Sequence, residues 1–451
     1  MTVTTAVVVL PRRVAVWANR RALARNSLTG IELACALCAA VWFSAGTPLS
    51  ALAGGAALGG GYLARRVGGQ LTVGAFDGWL AGACALAGEL AVYAGLAAGA
   101  APGPARVWAL ATAAALLLGM RKVARLCRPD RSPGEPPASL DLETLAAHGP
   151  VRAVAVVAGR LVGLPAGERA AVITVTAALY GTRMSLLVLT CWGAVALAWA
   201  VAGPRPGAAT EPGTAGQPGA AAQAGTAPEP GTAPRRAPGP VRRTDIAAAR
   251  DDGPLARFAG AVVRGQLVPL PPALAGLTAT VLLATLGLRD LAGLVLLTPV
   301  AAMLLAAPGS GHPHNGPLDW LTPLVIQAGQ YVYLAALGFA KGVPGPLIFA
   351  LTALVALRQL DVAYRARYPM PAGDPRGGIG WEGRMLVAGV GAMLGVATFC
   401  YLALAVYLIW LLSSGSLASW LAARARRLGA RRAGLGSSAP GCRRIVEGAE
   451  G

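Results

Sequence analysis

Four carboxylates lie within or beside long apolar runs of this 451-residue chain: Glu32, Asp77, Glu89 and Asp319. Placing a charged side chain in hydrocarbon costs at least a few kcal/mol, so such residues are candidates for function. Carboxylate oxygens are the ligands that hard divalent metal ions require. Metal binding is therefore a chemistry that these residues could carry.

The four positions are not equivalent. Asp77 and Asp319 stand at the start of apolar runs, where a carboxylate can cap exposed helical amides and complement the helix dipole. Glu89 lies about three helical turns into its run and needs a partner such as Arg65 or Arg66, or a water-filled cavity. Asp77 and Glu89 are the candidate catalytic residues.

The elements that must position these side chains are membrane spans. Hydrophobic residues make up 55% of the chain and charged residues 13%, and the mean hydropathy is +0.56. A soluble protein carries about 25% charged residues, so the soluble class is excluded. With about 20 residues for each span, the sequence predicts an all-α polytopic membrane protein. It has about twelve transmembrane helices in two parallel six-helix halves.

The apolar runs fall into two groups. The first group is predicted near 28–45, 49–63, 79–99, 106–120, 169–182 and 185–202. The second is predicted near 270–287, 291–306, 319–338, 344–357, 385–398 and 400–414. The corresponding domains begin with a cytoplasmic amphipathic segment at 1–27 and a first half at 28–203. A disordered linker rich in Pro, Gly and Ala follows at 204–253. The second half covers 254–418, and a basic cytoplasmic tail covers 419–451.

The net charge of +19 comes from short basic clusters between apolar runs. No long basic stripe carries interleaved aromatic residues, so nucleic acid is not an expected partner. Cations beside apolar spans are typical of cytoplasmic loops, and they occur at both ends of each half. The distribution predicts a multi-pass protein of the plasma membrane with both termini in the cytoplasm.

An internal repeat relates the halves. Trp79 and Gly88 in the third predicted span have the same spacing as Trp320 and Gly329 in the ninth. The fifth and eleventh spans also begin alike, with Gly167-Glu168-Arg169 matching Glu382-Gly383-Arg384. An even number of spans in each half makes this a parallel repeat, related by an axis along the membrane normal.

Residues 10–203 resemble the CDP-alcohol phosphotransferases, six-span membrane enzymes that join a CDP-linked group to an alcohol. The family signature is D-x2-D-G-x2-A-R-x8-G-x3-D-x3-D, and Gly61-Tyr-Leu-Ala64-Arg65 followed by Gly74 matches its central portion. The family's Gly-Glu-Arg before the fifth span appears as Gly167-Glu168-Arg169. The resemblance implies that Ala64, Arg65, Glu168 and Arg169 bind substrate. The tandem arrangement is similar to that of actinobacterial membrane proteins of uncharacterised function.

The chain departs from the signature at its aspartates, which hold two divalent metal ions in the family. The first two positions are Ala57 and Gly60, and the last two are Ala81 and Ala85 in the register set by Trp79. Counting strictly from Gly74 places the last two on Gly78 and Gly82 instead. Neither register supplies a carboxylate pair, so no metal site and no cofactor is predicted. Mg²⁺ or Mn²⁺ is expected only if the protein is an active enzyme.

Three functions remain open. The first is a non-catalytic relative that binds membrane lipids, including a CDP-linked lipid, or regulates phospholipid metabolism. The second is an active CDP-alcohol phosphotransferase with a rebuilt site that uses Arg65, Asp77 and Glu89. The third is a twelve-span transporter. Because the related enzymes are dimers, the resemblance also implies that the two halves pack on each other as two subunits would.

Overall fold

The structure is a computed structural model that describes residues 25–69, 75–100, 104–128, 162, 165–202, 248–263, 268–288, 291, 293–312, 318–368, 370 and 378–436. Nearly all of the predicted amphipathic segment at 1–27 and most of the predicted linker lie outside these residues. All regular secondary structure in the described part of the chain is helical, which confirms the predicted all-α class.

Thirteen α-helices are described. A first helix set comprises α1 Arg25–Ser44, α2 Pro48–Gly68, α3 Ala75–Ala98, α4 Pro104–Cys127, α5 Ala166–Tyr180 and α6 Thr182–Ala202. The helix α7 covers Pro254–Val263. A second helix set comprises α8 Leu270–Thr285, α9 Thr298–Leu304, α10 Thr322–Ala340, α11 Gly345–Arg367, α12 Gly380–Met393 and α13 Ala397–Gly436. Short 3₁₀ helices cover Ala248–Arg250, Gly293–Leu297, Ala307–Gly311 and Asp319–Leu321.

Seven of the described helices are long and apolar enough to cross a bilayer. Their spans are Asn26–Ser44, Phe76–Ala98, Ala105–Cys127, Thr182–Ala202, Asp319–Ala340, Gly345–Arg367 and Ala397–Arg426. Large apolar side chains are exposed on the outer faces of several helices, as Val41, Leu179 and Phe399 show with about 70% exposure. A surface of this kind suits hydrocarbon rather than water. The apolar helices therefore indicate a membrane protein.

Local sequence accounts for the turn between α1 and α2. Gly46 adopts a positive φ of 68°, and a Cβ atom there would meet the carbonyl oxygen of Gly99. Thr47 then caps α2, because its hydroxyl accepts from the Ser50 amide while the Ser50 hydroxyl accepts from the Thr47 amide. Pro48 follows at the first helical position, where its missing N–H is not needed.

The helix bounds repeat between the two sets. Pro104 begins α4 and Gly345 begins α11, 241 residues later, which is also the separation of Trp79 from Trp320. Both sets use the same contacts: the first helix packs on the second and third, the fourth on the third and sixth, and the fifth on the second and sixth. The internal repeat read from the sequence is therefore present in the helix packing.

The two sets pack on each other through their third and fourth helices. The fourth helices, α4 and α11, lie side by side, and each also contacts the third helix of the other set. Gly119 permits a close approach of the two helices, because a Cβ atom at this position would lie 3.0 Å from the Cβ of Ala356. Trp108 packs edge-on against Phe349, with ring centroids 5.6 Å apart.

A buried ionic cluster also joins the two sets. The indole nitrogen of Trp79, on α3, donates to Oδ1 of Asp361, on α11, at 2.9 Å. Asp361 in addition accepts from Arg365 at 2.7 Å and from Arg358 at 3.2 Å. Arg367 donates across the interface to the Leu126 carbonyl at 2.7 Å.

Replacing Gly119 with leucine is expected to weaken the contact between the sets and lower the free energy of unfolding by about 1–3 kcal/mol, since the side chain cannot fit against Ala356. The thermal midpoint in detergent measures the effect. Gly82→Leu is the matched control, because a Cβ at this helical glycine meets no atom within 4 Å. Equal midpoints for the two variants would contradict the assignment.

Several boundaries differ from those predicted, as the span predicted at 344–357 shows by continuing to Arg367, and four more differences follow. The fourth helix continues past 120 to Cys127, so Arg121 and Lys122 belong to a helix and not to a loop. Residues 248–253, assigned to the linker, contain a 3₁₀ turn with buried charged side chains. The break between α12 and α13 lies at 394–396 rather than near 399. The last helix runs unbroken to Gly436, into the predicted tail.

Candidate functional site

A cavity opens among α1, α2, α3 and α5 of the first helix set. Its lining consists of Glu32, Ala36, Leu58, Gly61, Tyr62, Arg65, Cys84, Ala85, Gly88, Glu89, Val92, Tyr93, Ala166, Arg169, Ala170 and Ile173. Small residues let the helices around it approach closely, as at Gly88, where a Cβ would lie 2.8 Å from the Cβ of Ala36. Charged and apolar side chains thus meet in one space.

Glu89 is the central carboxylate of this cavity. Arg169 donates to Oε2 of Glu89 at 2.6 Å, and Lys122 donates to Oε1 at 3.2 Å. The three side chains are largely buried, with exposures of 12–18%. Glu89 therefore has the cationic partners that its depth in the helix requires, although they come from α5 and α4 and not from Arg65 or Arg66.

A second ion pair stands across the cavity. Nε of Arg65, on α2, lies 3.4 Å from Oε1 of Glu32, on α1. The Glu32 side chain is 13% exposed and lies in the cavity wall, whereas the Arg65 side chain is 38% exposed and lies nearer the open side. A ligand entering the cavity would meet the Arg65 guanidinium early and the Glu89–Arg169 pair deeper in.

A smaller cavity adjoins the first and shares Tyr93 and Arg169 with it. Arg121 lines its polar end, and the rest is apolar, with Leu117, Val172 and other side chains of α4, α5 and α6. Arg169 thus faces both spaces. Charged groups therefore lie at one end of the two cavities, and an apolar wall lies beyond them.

Among the residues that the structure describes, the charges around the two cavities do not balance. Four cations line the cavities or pair with a lining residue, namely Arg65, Arg121, Lys122 and Arg169. Glu32 and Glu89 are the two carboxylates in the same group. A positive excess in a partly buried site favours an anionic ligand, because each cation is only weakly solvated there.

Three of the six predicted site residues meet at the cavity, and three do not. Arg65, Glu89 and Arg169 line it, whereas Ala64 and Glu168 are not part of the lining. Asp77 occupies the first turn of α3 and is also outside it.

Asp77 and Glu89 are twelve positions apart in sequence, which corresponds to about 18 Å along a helix. Asp77 and Glu89 therefore do not act on the same atom.

Sequence reasoning missed Arg121 and Lys122 as site residues, because their charges were interpreted as a cytoplasmic loop. Arg121 is 6% exposed, and Lys122 pairs with Glu89. The available signal was the helical spacing of Leu117, Leu118 and Val123 around them, which continues the pattern of α4 without a break.

Ala85, which the register set by Trp79 aligns with an aspartate of the phosphotransferase signature, lines the cavity. Its methyl group offers no oxygen ligand to a metal ion. Among the described residues, no three His, Cys, Asp or Glu side chains come close enough together to hold a metal ion. The cavity chemistry that the structure displays is that of guanidinium and ammonium donors.

Comparison with known proteins gives one family match. Residues 242–434 match DUF5941, a family of unknown function. The match covers less than half of the chain, namely the second helix set together with α7 and the segment before it. No curated protein and no solved structure matches the chain.

Proposed function

We propose that this chain is a non-catalytic relative of the CDP-alcohol phosphotransferases that binds an anionic, phosphate-bearing lipid in the first helix set. The ligand class includes CDP-linked lipids, and the role is to bind or regulate components of phospholipid metabolism. In this proposal two six-helix halves cross the plasma membrane in parallel, about twelve times in all, with both termini in the cytoplasm.

The observation that carries the proposal is the positive excess around the cavity. Arg65, Lys122 and Arg169 converge on it from α2, α4 and α5, and Arg169 also borders the apolar cavity beside it. Guanidinium groups bind phosphate through paired, charge-assisted hydrogen bonds. The apolar wall beside the charged groups gives the hydrocarbon part of a lipid a surface to pack on.

The non-catalytic part of the proposal rests on the residues at the signature positions. Ala57, Gly60, Ala81 and Ala85 stand where the family's metal-binding aspartates would be. A pyrophosphate can still be held by arginine and lysine side chains, but its activation for transfer in the family uses metal ions held by those carboxylates. Binding without transfer is the function that these residues support.

Lipid binding by the full-length chain in detergent tests the proposal. CDP-diacylglycerol is expected to raise the thermal midpoint, and zwitterionic phosphatidylcholine is not. Arg65→Gln should weaken CDP-diacylglycerol binding about 10-fold, since one charge-assisted hydrogen bond is lost. Arg106→Gln, an exposed arginine at the start of α4, is the matched control and should bind as the unmodified protein does.

Release of CMP from CDP-diacylglycerol with Mg²⁺ or Mn²⁺ and candidate alcohols distinguishes the enzyme alternative. The expected result is no release above that of a blank membrane preparation. Robust turnover that Asp77→Ala abolishes would establish the rebuilt phosphotransferase instead. Equal binding of CDP-diacylglycerol and phosphatidylcholine would remove the support for an anionic-lipid site.

A further inference from the structure

The second helix set contains a counterpart of the Glu89–Arg169 pair. Gln330 stands 241 residues after Glu89, as Trp320 stands after Trp79, and Arg384 has the place in α12 that Arg169 has in α5. Nη2 of Arg384 donates to Oε1 of Gln330 at 3.4 Å. The second set thus has the neutral amide of Gln330 where the first set has the carboxylate of Glu89.

A different carboxylate satisfies Arg384. Oδ2 of Asp251 accepts from Arg384 at 2.7 Å, and Oδ1 accepts from Arg358 at 3.2 Å. Asp251 belongs to the segment that precedes α7, not to any helix of the set. Its two oxygens are shared between two arginines that are 1% and 4% exposed. This geometry is the one in which a bound oxyanion bridges two guanidinium groups.

The segment around Asp251 is held in place from several sides. Arg250 donates to the Ala306 carbonyl at 2.9 Å, and Ala306 is the counterpart of Arg65 in the repeat. The guanidinium group of Arg250 therefore reaches the position in the second set that corresponds to Arg65 in the first. Asp252 accepts from the Trp381 indole at 2.8 Å. The segment occupies the region that corresponds to the cavity of the first set.

The backbone at Asp251 is unusual. Its φ is 53°, and no other non-glycine residue in the described part of the chain has a positive φ. Aspartate tolerates this left-handed conformation better than most residues, but the conformation costs free energy and persists only where the surroundings hold it. The strained conformation brings the carboxylate to Arg358 and Arg384.

The described ion pairs of the second set form a cluster in which cations and carboxylates balance. Four arginines, Arg250, Arg358, Arg365 and Arg384, are linked to the carboxylates of Asp251, Asp252 and Asp361. Glu382 adds a fourth carboxylate, which accepts from the Gly253 and Ala256 amides. Nε of Arg384 and Nε2 of Gln330 remain buried donors without an acceptor, so the site still has donors to offer an anion.

We propose that Arg358 and Arg384 form an oxyanion-binding site and that the chain's own Asp251 occupies it as a tethered ligand. A phosphate or carboxylate ion takes the same place when the Asp251 carboxylate is removed. An external ligand is then kept out of this site in the second set, whereas the first-set cavity stays available to one. The second set is kept closed by residues 250–253.

Anion rescue of an Asp251 variant tests this assignment in the full chain. Asp251→Gly removes the carboxylate and suits the positive φ, so the lost ion pairs dominate its effect. Its thermal midpoint in chloride is expected to fall below that of the unmodified protein. Replacing chloride by phosphate or acetate at equal ionic strength should restore a large part of the loss, in proportion to the anion concentration.

Asp252→Gly is the matched control, because it removes the adjacent buried carboxylate but leaves Arg358 and Arg384 paired with Asp251. It retains the first-set cavity, so any phosphate binding there appears equally in both variants. Adding Arg384→Gln to Asp251→Gly should abolish the additional response to phosphate.

Two outcomes would overturn the assignment. One is an equal response to phosphate in both glycine variants, and the other is a fall in the midpoint of Asp251→Gly that no anion reverses. If the glycine variant does not fold, Asp251→Asn preserves the side-chain volume and is compared in the same way. None of these results depends on which lipid the first set binds.

Discussion

Replacing Asp361 with alanine is expected to lower the free energy of unfolding by about 3–5 kcal/mol, the cost of removing one partner from a buried ionic cluster. Asp361 accepts from Trp79, Arg358 and Arg365, and the side chains of both arginines are 5% exposed. Without the carboxylate, Arg365 loses its ion pair and Arg358 retains Asp251. The thermal or denaturant midpoint of the purified protein measures the loss.

A double-mutant cycle with Trp79→Phe shows how much of this loss belongs to the contact between the helix sets. The phenylalanine keeps the ring and removes the indole donor that reaches Asp361 from the first set. In the unmodified background it should cost about 0.5–1.5 kcal/mol, and in the Asp361→Ala background almost nothing. Additive effects would mean that the bond does not couple the two sets.

The helices and their repeat were predictable because each depends on local pattern. Apolar runs of sufficient length identify spans one by one, and Trp79 and Trp320 fix the register between the sets. The orientation of Trp79 toward Asp361 was not predictable, because 282 residues separate the two side chains. No periodicity within either helix records which helix of the other set it will contact.

The candidate site, too, could be predicted from the sequence only in part. Arg65 and Arg169 were found through their place in a family motif, and Glu89 through the cost of a charge in an apolar helix. Lys122 was interpreted as a loop cation, since a basic residue after an apolar run usually marks a helix end. Its role depends on the packing of α4 against α3, which brings it to within 3.2 Å of Glu89.

The clearest departure from the sequence prediction is the segment 248–253. Its composition continues that of the linker, with alanine, glycine and charged residues and few large apolar side chains. Composition of this type predicts disorder because it offers little apolar area to bury. Polar contacts hold this segment instead, since Arg250 and Asp251 bind groups that are far away in the sequence, at Ala306 and Arg384. Such pairing depends on tertiary structure and leaves no local signal.

Glu89→Gln is expected to destabilise the free protein and at the same time strengthen its response to an anionic lipid. The substitution reproduces in the first set the amide that Gln330 supplies in the second. Arg169 and Lys122 lose their shared carboxylate, so the free energy of unfolding should fall by about 3 kcal/mol. The positive excess around the cavity rises by one charge, which favours binding of a phosphate group.

The measurement is the rise in thermal midpoint on adding CDP-diacylglycerol, compared between Glu89→Gln and the unmodified protein. A larger rise in the variant is expected, because the ligand then supplies the negative charge that Arg169 and Lys122 have lost. Glu168→Gln is the matched control, since this neighbouring carboxylate is exposed and does not line the cavity.

Whether the midpoint rise is larger or smaller in Glu89→Gln than in the unmodified protein distinguishes two roles for Glu89. If Glu89 fixes the cavity arginines and competes with the ligand for them, its removal strengthens lipid binding while it weakens the fold. If Glu89 instead contacts the ligand as a hydrogen-bond acceptor or as a metal ligand, its removal weakens both. A smaller midpoint rise in Glu89→Gln, together with CMP release that requires Mg²⁺, would therefore assign the cavity to the rebuilt enzyme.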